Sequence, residues 1–152
     1  MTDRISPDGL LRLVEDGGEG AVVLFGGRVR GRNEGRAVRV LHYEAYEAMA
    51  ADILAAIGAE AIERCGATQV AVRHRAGDVH PGEWSLLVAV AAPRRAAGFA
   101  AARYVVEQVK GRLPVWKREV YEDGTSRWLD GVDPGVRSAD EVPMRTYDEG
   151  GA

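Results

Sequence analysis

The chain has 152 residues, 46% of them apolar and 28% charged, with a net charge of −3 at pH 7. That length supports one domain with a self-sufficient core, and no apolar run approaches the roughly 20 residues needed to cross a bilayer. The N-terminal Met-Thr-Asp-Arg-Ile-Ser lacks the layout of a secretory signal, and a lone Cys65 excludes an internal disulfide or a cysteine-based metal cluster, which fits a reducing cytoplasm.

Arg4 to Ser6 reads as a short edge strand, with Ser6 and Pro7 as N-cap and first position of a short helix through Glu15. Asp16-Gly17-Gly18-Glu19-Gly20 is a loop. The unbroken apolar run from Ala21 to Phe25 predicts a central strand buried on both faces. From Gly26 to Arg36 the chain mixes four glycines with Arg28, Arg30, Arg32 and Arg36. Glycine permits close backbone approach, and guanidinium forks match phosphate oxygens. The segment nevertheless lacks the Gly-Lys-Ser/Thr ending of a phosphate-cradling loop and the following helix of a dinucleotide fingerprint. A solvated loop and an RNA-contacting arginine loop both remain open, although aromatic partners for base stacking are missing from it.

Ala37 to Glu44 predicts a strand, and Tyr46 to Arg64 the longest helix, with Tyr46, Met49, Ile53, Ile57 and Ala61 as its core stripe. Cys65 closes that helix as a packed structural thiol. From Gln69 to Arg75, Val70, Val72 and His74 share the apolar side, so His74 is either a hydrogen-bonded core residue or a catalytic one. His80-Pro81-Gly82 turns the chain into Trp84 to Ala92, a strand expected to be covered on both faces. Three scattered histidines without acidic partners at fixed spacing give no support for a metal site.

Ala96 to Val109 predicts a helix with Phe99, Ala102, Val106 and Val109 along one side, ended by Gly111 and Pro114. In the strand that follows, Trp116, Arg118 and Val120 alternate with Lys117, Glu119 and Tyr121. Lys110 and Lys117 thus stand on two elements joined by a corner that Pro114 stiffens and Trp116 anchors. Two ammonium groups sharing one space can hold phosphate or carboxylate. Crowding by Arg112 and Arg118 would lower a lysine pKa toward proton transfer or nucleophilic attack. Simple solvation of the surface is the alternative.

Charge is unevenly spread. Residues 94–118 carry seven Lys and Arg against Glu107 alone, a net +6, and residues 119–152 carry nine acids against three arginines, a net −6. A concentrated basic region in a mildly acidic chain points to a defined anionic ligand more than to broad nucleic-acid binding. Asp123-Gly124 predicts a hairpin returning through Ser126 to Leu129, with Trp128 as a packing residue. The expected organisation is one domain over residues 1–132 and an acidic, flexible tail over 133–152.

Four blocks carry a family resemblance. They are Val23-Leu24-Phe25-Gly26-Gly27-Arg28-Val29-Arg30, then Tyr43-Glu44-Ala45-Tyr46 with Met49, then His74-Arg75-Ala76-Gly77 with Pro81-Gly82-Glu83, and Lys110-x-x-x-Pro114-x-Trp116-Lys117-x-Glu119. In this order and spacing, from about Ile5 to Gly131, the chain resembles the large catalytic subunits of molybdopterin synthase. The resemblance implies an α+β fold of the α/β-hammerhead type with an additional small antiparallel region. It implies a homodimer within a heterotetramer, bound to a ubiquitin-like small subunit whose C-terminal Gly-Gly carries a thiocarboxylate. The implied reaction converts cyclic pyranopterin monophosphate into the molybdopterin dithiolene, with no cofactor, metal, nucleic acid or membrane.

By motif position, Lys110 and Lys117 correspond to the family's essential lysines, and Arg28, Val29, Arg30 and Arg95 to residues around the substrate. Arg118 and Glu119 accompany Lys117. Arg94 departs from the pattern, since histidine is common there, and is retained as an anion-binding candidate. The competing class is a non-catalytic arginine-rich module that binds RNA, another polyanion or the carrier.

Overall fold

The computed structural model describes residues 4–129, so the tail expected over 133–152 lies outside the described residues. Helix α1 (Pro7–Arg12) leads into strands β1 (Ala21–Arg28), β2 (Arg32–Asn33) and β3 (Arg36–Ala45), followed by helix α2 (Glu47–Cys65). Strands β4 (Gln69–His74), β5 (Gly77–Val79) and β6 (Trp84–Ala92) precede helix α3 (Arg95–Arg112). Strands β7 (Val115–Tyr121) and β8 (Ser126–Leu129) complete the described fold. Every strand pairing is antiparallel, and the expected α+β class holds.

The first sheet runs β1-β6-β4. Its middle strand is the long apolar run, buried from Ser85 to Ala92. Leu86, Val88 and Val90 join one core with Ile57 and Ala61 of α2 and with Ala101, Val105 and Val109 of α3. Leu87, Ala89 and Ala91 join a second, smaller core with Leu10 and Val14 at α1. Both faces are therefore covered, as the continuous hydrophobicity predicts. β1 is different. It is an edge strand whose Val23 and Phe25 pack inward while Val22 and Leu24 are exposed, because the single short turn of α1 reaches β6 and β4 more than β1. An apolar run shows that a strand is buried somewhere, but not on how many faces.

The expected strand at Arg4–Ser6 is irregular backbone. Ser6 does cap α1, its Oγ accepting from the Gly9 N–H at 3.3 Å, and the helix stops at Arg12 instead of Glu15. In α2 the expected stripe holds at buried Ile57 and Ala61 and at Ile53, which packs on the core, whereas Tyr46 and Met49 at its start are exposed and Ala50 is buried in their place. In α3, Phe99 is likewise exposed, and Gly98, Ala101, Ala102, Val105 and Val109 face inward. Both helices turn small residues toward the core, which permits close packing. A Cβ on Gly98 would come within 3.2 Å of Val23 on β1.

The second sheet runs β2-β3-β7-β8, with β5 also on β3. α3 continues through Gly111 to Arg112 and ends at Leu113, whose N–H bonds the Val109 carbonyl at 3.0 Å. Gly111 is therefore a buried helical residue and not the terminator. The corner is held by buried Leu113, Pro114 and Val115, since Trp116 is only partly covered, meeting Tyr46 edge-on at 6.4 Å. The Asp123-Gly124 hairpin forms as expected, with Gly124 at φ +85° and the Asp123 carboxylate accepting from the Thr125 N–H at 2.8 Å. Trp128 is 51% exposed and so is not a core residue. No helix among the described residues is long and apolar enough to cross a membrane.

Candidate active site

The two sheets and the last turn of α3 enclose a cleft of about 480 Å³, a size suited to a small organic ligand. Strand alternation decides what faces it. On β7, Lys117 lies opposite Tyr43 of β3 and Leu129 of β8, and Glu119 lies opposite Leu41; all five line the cleft. Lys110 enters from α3, and Phe25, Arg28, Val29 and Arg30 from the end of β1 and the loop beyond it. The two lysines of the fourth block thus meet from separate elements, as the Pro114 corner predicts.

Four cations, Arg28, Arg30, Lys110 and Lys117, share this cleft with one carboxylate. That carboxylate, Glu119, is 4% exposed and accepts from Asn33 Nδ2 at 2.6 Å and from the Tyr121 hydroxyl at 3.5 Å. Its orientation is fixed by those two neutral donors, with Arg127 more distant at 3.9 Å, so none of the four cleft cations is ion-paired to it. Half-burial of Lys117, then the charge of Lys110, push the Lys117 ammonium below its ordinary pKa of 10.5; Glu119 opposes the shift and Arg30 adds to it. The arginines expected to crowd the lysines do not. Arg112 turns to α2, where it donates to Glu60 at 2.7 and 3.1 Å.

Arg28 is held from behind. Its guanidinium carbon lies 4.0 Å from the Trp84 ring centroid, a cation–π stack that leaves the N–H edges open to oxygen acceptors. Arg118, expected beside Lys117, is on the opposite face of β7. There it pairs in register with His42 and Trp128, its guanidinium carbon 5.6 Å from the Trp128 ring centroid. Arg94 and Arg95 are also away from this cleft, at the start of α3. Fifteen residues separate Arg95 from Lys110, a distance of about 22 Å along a helix rising 1.5 Å per residue. No acid offsets the two arginines in that first turn, so they oppose the helix dipole and suit an anion brought from elsewhere.

Sequence reasoning did not place Tyr43, Asn33 or Ser85 at the cleft, and left His74 undecided between core and site. All four line it. For Tyr43 and His74 the period-two pattern of β3 and β4 was the available signal, but it cannot say which sheet face meets a cleft, and Asn33 of β2 and Ser85 of β6 had no such signal. Cys65 sits outside this cleft at the end of α2, and burial pushes its thiol pKa up, partly offset by Arg64, in keeping with a packed residue.

Comparison with known proteins agrees with this geometry. The model of the MoaE protein family matches residues 1–112. The molybdopterin synthase catalytic subunit of Bacillus subtilis is 38% identical over 125 residues, 82% of this chain and 79% of that protein. The crystal structure of molybdopterin synthase from Staphylococcus aureus superposes with a TM-score of 0.79 at 35% identity, covering 84% of this chain and 92% of that one. A protein–protein complex of subunits 1 and 2 of the molybdopterin-converting factor from Helicobacter pylori shares the fold at 22% identity, with a TM-score of 0.61 and coverage of 73% and 72%. With a family match over most of its length and a cleft built from the matching blocks, this chain belongs to the MoaE family.

Proposed function

We propose that the chain is the catalytic subunit of a molybdopterin synthase, moving sulfur from a thiocarboxylated ubiquitin-like small subunit onto cyclic pyranopterin monophosphate to build the molybdopterin dithiolene. The observation that carries this reading is the convergence of Lys110, Lys117, Arg28 and Arg30 on one cleft beside a single restrained carboxylate. Both reactants are anions at the end that must be held, one a phosphate and the other a thiocarboxylate. Bond formation between carbon and sulfur, with opening of the pyran ring, also needs a group that can give and take a proton.

Lys117 fits that last role. Its half-buried ammonium loses its proton more readily than an exposed lysine, so the neutral amine is accessible for proton transfer or covalent participation. Lys110, exposed at the cleft mouth, guides the thiocarboxylate and stabilises developing negative charge. Arg28 and Arg30 receive the phosphate, while Val29 between them ties the loop to the Gly82–Glu83 turn, its N–H donating to the Glu83 carbonyl at 3.1 Å and its carbonyl accepting from the Gly82 N–H at 2.9 Å. Glu119 orients the floor through Asn33.

Arg94 and Arg95 belong to the same reading only in a homodimer, where the start of α3 from a second copy approaches the cleft. Arg118 acts indirectly, supporting β7 from its outer face. The exposed Phe99 and Trp128 supply apolar contact for the dimer or the small subunit. The proposed setting is the cytoplasm, in one domain over residues 1–132 with a tail over 133–152.

The direct test mixes the purified chain with cyclic pyranopterin monophosphate and thiocarboxylated small subunit and follows dithiolene formation. Product from wild type and none from Lys117→Ala is the expected result. Full turnover by Lys117→Ala removes that residue from the chemistry. A wild type that binds the small subunit without making product leaves the non-catalytic carrier-binding reading in its place.

A further inference from the structure

His74 closes β4 opposite Leu86 of β6, is 8% exposed and forms part of the cleft wall. Its Nδ1 lies 2.7 Å from the carbonyl oxygen of Arg75. A carbonyl oxygen only accepts, so Nδ1 carries the hydrogen, and the neutral ring has its lone pair on Nε2. The edge of the Tyr43 ring meets the imidazole with centroids 5.0 Å apart and planes at 80°, which fixes the ring plane.

The groups facing His74 keep it neutral. Burial comes first and the nearby charges of Lys117 on β7 and Lys110 on α3 add to it, against the opposing Arg75 hydrogen bond; together they hold its pKa at about 4. Tyr43 on β3 is an uncharged phenol whose pKa burial raises, with a hydrogen bond to Ser85 opposing. His74 is thus an acceptor, never a cation, throughout the working pH range.

Such an acceptor is scarce in this cleft. Arg28, Arg30 and the protonated forms of Lys110 and Lys117 can only donate. The Glu119 carboxylate accepts from Asn33 and Tyr121 through Oε1, and the Asn33 amide oxygen faces Arg30 at 3.5 Å, so beside Glu119 Oε2 and the hydroxyl oxygens of Tyr43 and Ser85, His74 Nε2 is the one ring-nitrogen acceptor among the side chains that line the cleft. Cations suit the anionic ends of the two reactants and can donate to the carbonyl and ring-nitrogen acceptors of a fused nitrogen heterocycle, but they offer nothing to its ring N–H and amino donors. We propose that His74 Nε2 accepts a hydrogen bond from a ring N–H or amino group of the bound pterin and so selects and orients the heterocycle while the cations hold its phosphate. This assignment rests on the synthase reading. It makes His74 a substrate-binding residue and assigns it no proton transfer.

Steady-state kinetics of the complete complex, with thiocarboxylated small subunit and cyclic pyranopterin monophosphate, tests it. His74→Phe keeps a ring but no acceptor, and is expected to raise KM for the pterin about tenfold with little change in the affinity for inorganic phosphate, while His74→Gln, which retains an acceptor, stays within about threefold of wild type. The kcat/KM profiles of wild type and His74→Gln have the same shape between pH 5.5 and 8. An unchanged KM in His74→Phe overturns the assignment, and so does an acidic limb present in wild type and absent from His74→Gln. Should His74→Phe fail to fold, the wild-type protein still decides: the ¹⁵N resonance of His74 Nε2 moves on adding the pterin but not on adding inorganic phosphate. A resonance that ignores the pterin overturns the proposal. A wild type without turnover counts against the synthase reading itself, so the two failures are distinct.

Discussion

The Arg28 guanidinium and the Trp84 ring stack 4.0 Å apart over a stretch of backbone that has to be glycine. A Cβ on Gly26 would stand 2.3 Å from Cζ3 of that ring, well inside van der Waals contact. Gly26 thus makes the space, Trp84 fills it, and Arg28 lies on the surface so formed. A pre-placed guanidinium loses less side-chain entropy when phosphate arrives than a free one does. Trp84→Leu is therefore expected to raise KM for the pterin monophosphate about two- to fivefold with kcat nearly unchanged, the equivalent of a cation–π contact worth about 0.5–1 kcal/mol. Trp84→Phe should retain most of the effect. A change in kcat alone, measured in the same assay, would show that Trp84 acts on something other than ground-state binding of Arg28's ligand.

Lys117 should cost the fold stability by its place in the cleft. Its folded-state pKa is lowered, first by burial and then by Lys110. Between that lowered value and the ordinary 10.5 the unfolded chain binds the extra proton, so stability rises with pH through this window. Below the window the buried ammonium is a steady burden. Lys117→Met should abolish dithiolene formation yet melt a few degrees higher than wild type at pH 7, and the advantage should shrink as pH approaches 10.5. Equal melting temperatures at pH 7 would place Lys117 in a better-solvated setting than the cleft described above.

His74 predicts the opposite end of the pH scale. Its pKa in the folded protein is about 4 against an ordinary 6.5. As pH falls from 6.5 to 4 the unfolded chain takes up a proton that the folded one refuses, so stability is lost across that window. The gap is worth about 3 kcal/mol when fully expressed. Urea denaturation between pH 7 and 4 should show a shallower decline for His74→Gln than for wild type. Parallel declines would mean that the imidazole is protonated in the folded state.

How much of this was legible beforehand follows from what each pattern encodes. The spacing of Lys110, Pro114 and Lys117 pointed to the cleft that both lysines line, because a helix end, a proline corner and a strand leave two lysines little choice but to converge. Arg118 was misjudged because its neighbour on the chain is Lys117, and adjacent strand residues point to opposite faces. The helix stripes hold at Ile53, Ile57, Ala61, Ala102, Val106 and Val109 but not at the large residues Tyr46, Met49 and Phe99, where the cores of α2 and α3 use Ala50, Gly98 and Ala101 instead. Small residues carry a weak hydrophobic signal but allow elements to pack closely, so periodicity gave the helices and most of each face but missed the part nearest each helix start. Likewise β1 looked central by composition alone, and only its pairing with β6 on one side makes it an edge.

Position within the cleft also depends on a contact outside it. Glu60 of α2 accepts from the Tyr104 hydroxyl at 2.7 Å and from both terminal nitrogens of Arg112, which in turn donates to Gln108 at 3.0 Å. These residues bracket Lys110 in the last turns of α3. Glu60→Ala leaves Arg112 and Tyr104 without their shared acceptor at a largely covered site, so a loss of about 2 kcal/mol in stability is expected. Burial and Glu60 together push the Tyr104 pKa up to about 12. Spectroscopic titration of Glu60→Ala should therefore find that tyrosine ionising at lower pH. An unmoved Tyr104 would mean that Glu60 does not hold the end of α3.

Arg95 and Lys110 stand at opposite ends of one helix, so a single chain cannot bring Arg95 to the lysine cleft across about 22 Å of straight α3. If Arg95 serves the reaction, it serves a neighbour's site. Arg95→Ala and Lys117→Ala should each be inactive as purified homodimers. Unfolding and refolding them together should restore activity, because a mixed dimer has one site that draws an intact Lys117 from one copy and an intact Arg95 from the other. With random pairing half of the dimers are mixed and one of their two sites is whole, so recovery should approach about a quarter of the wild-type rate per chain. An active Arg95→Ala homodimer would remove that arginine from the site altogether. Two inactive homodimers that stay inactive after mixing would instead place Arg95 and Lys117 in the same chain's site and require α3 to bend.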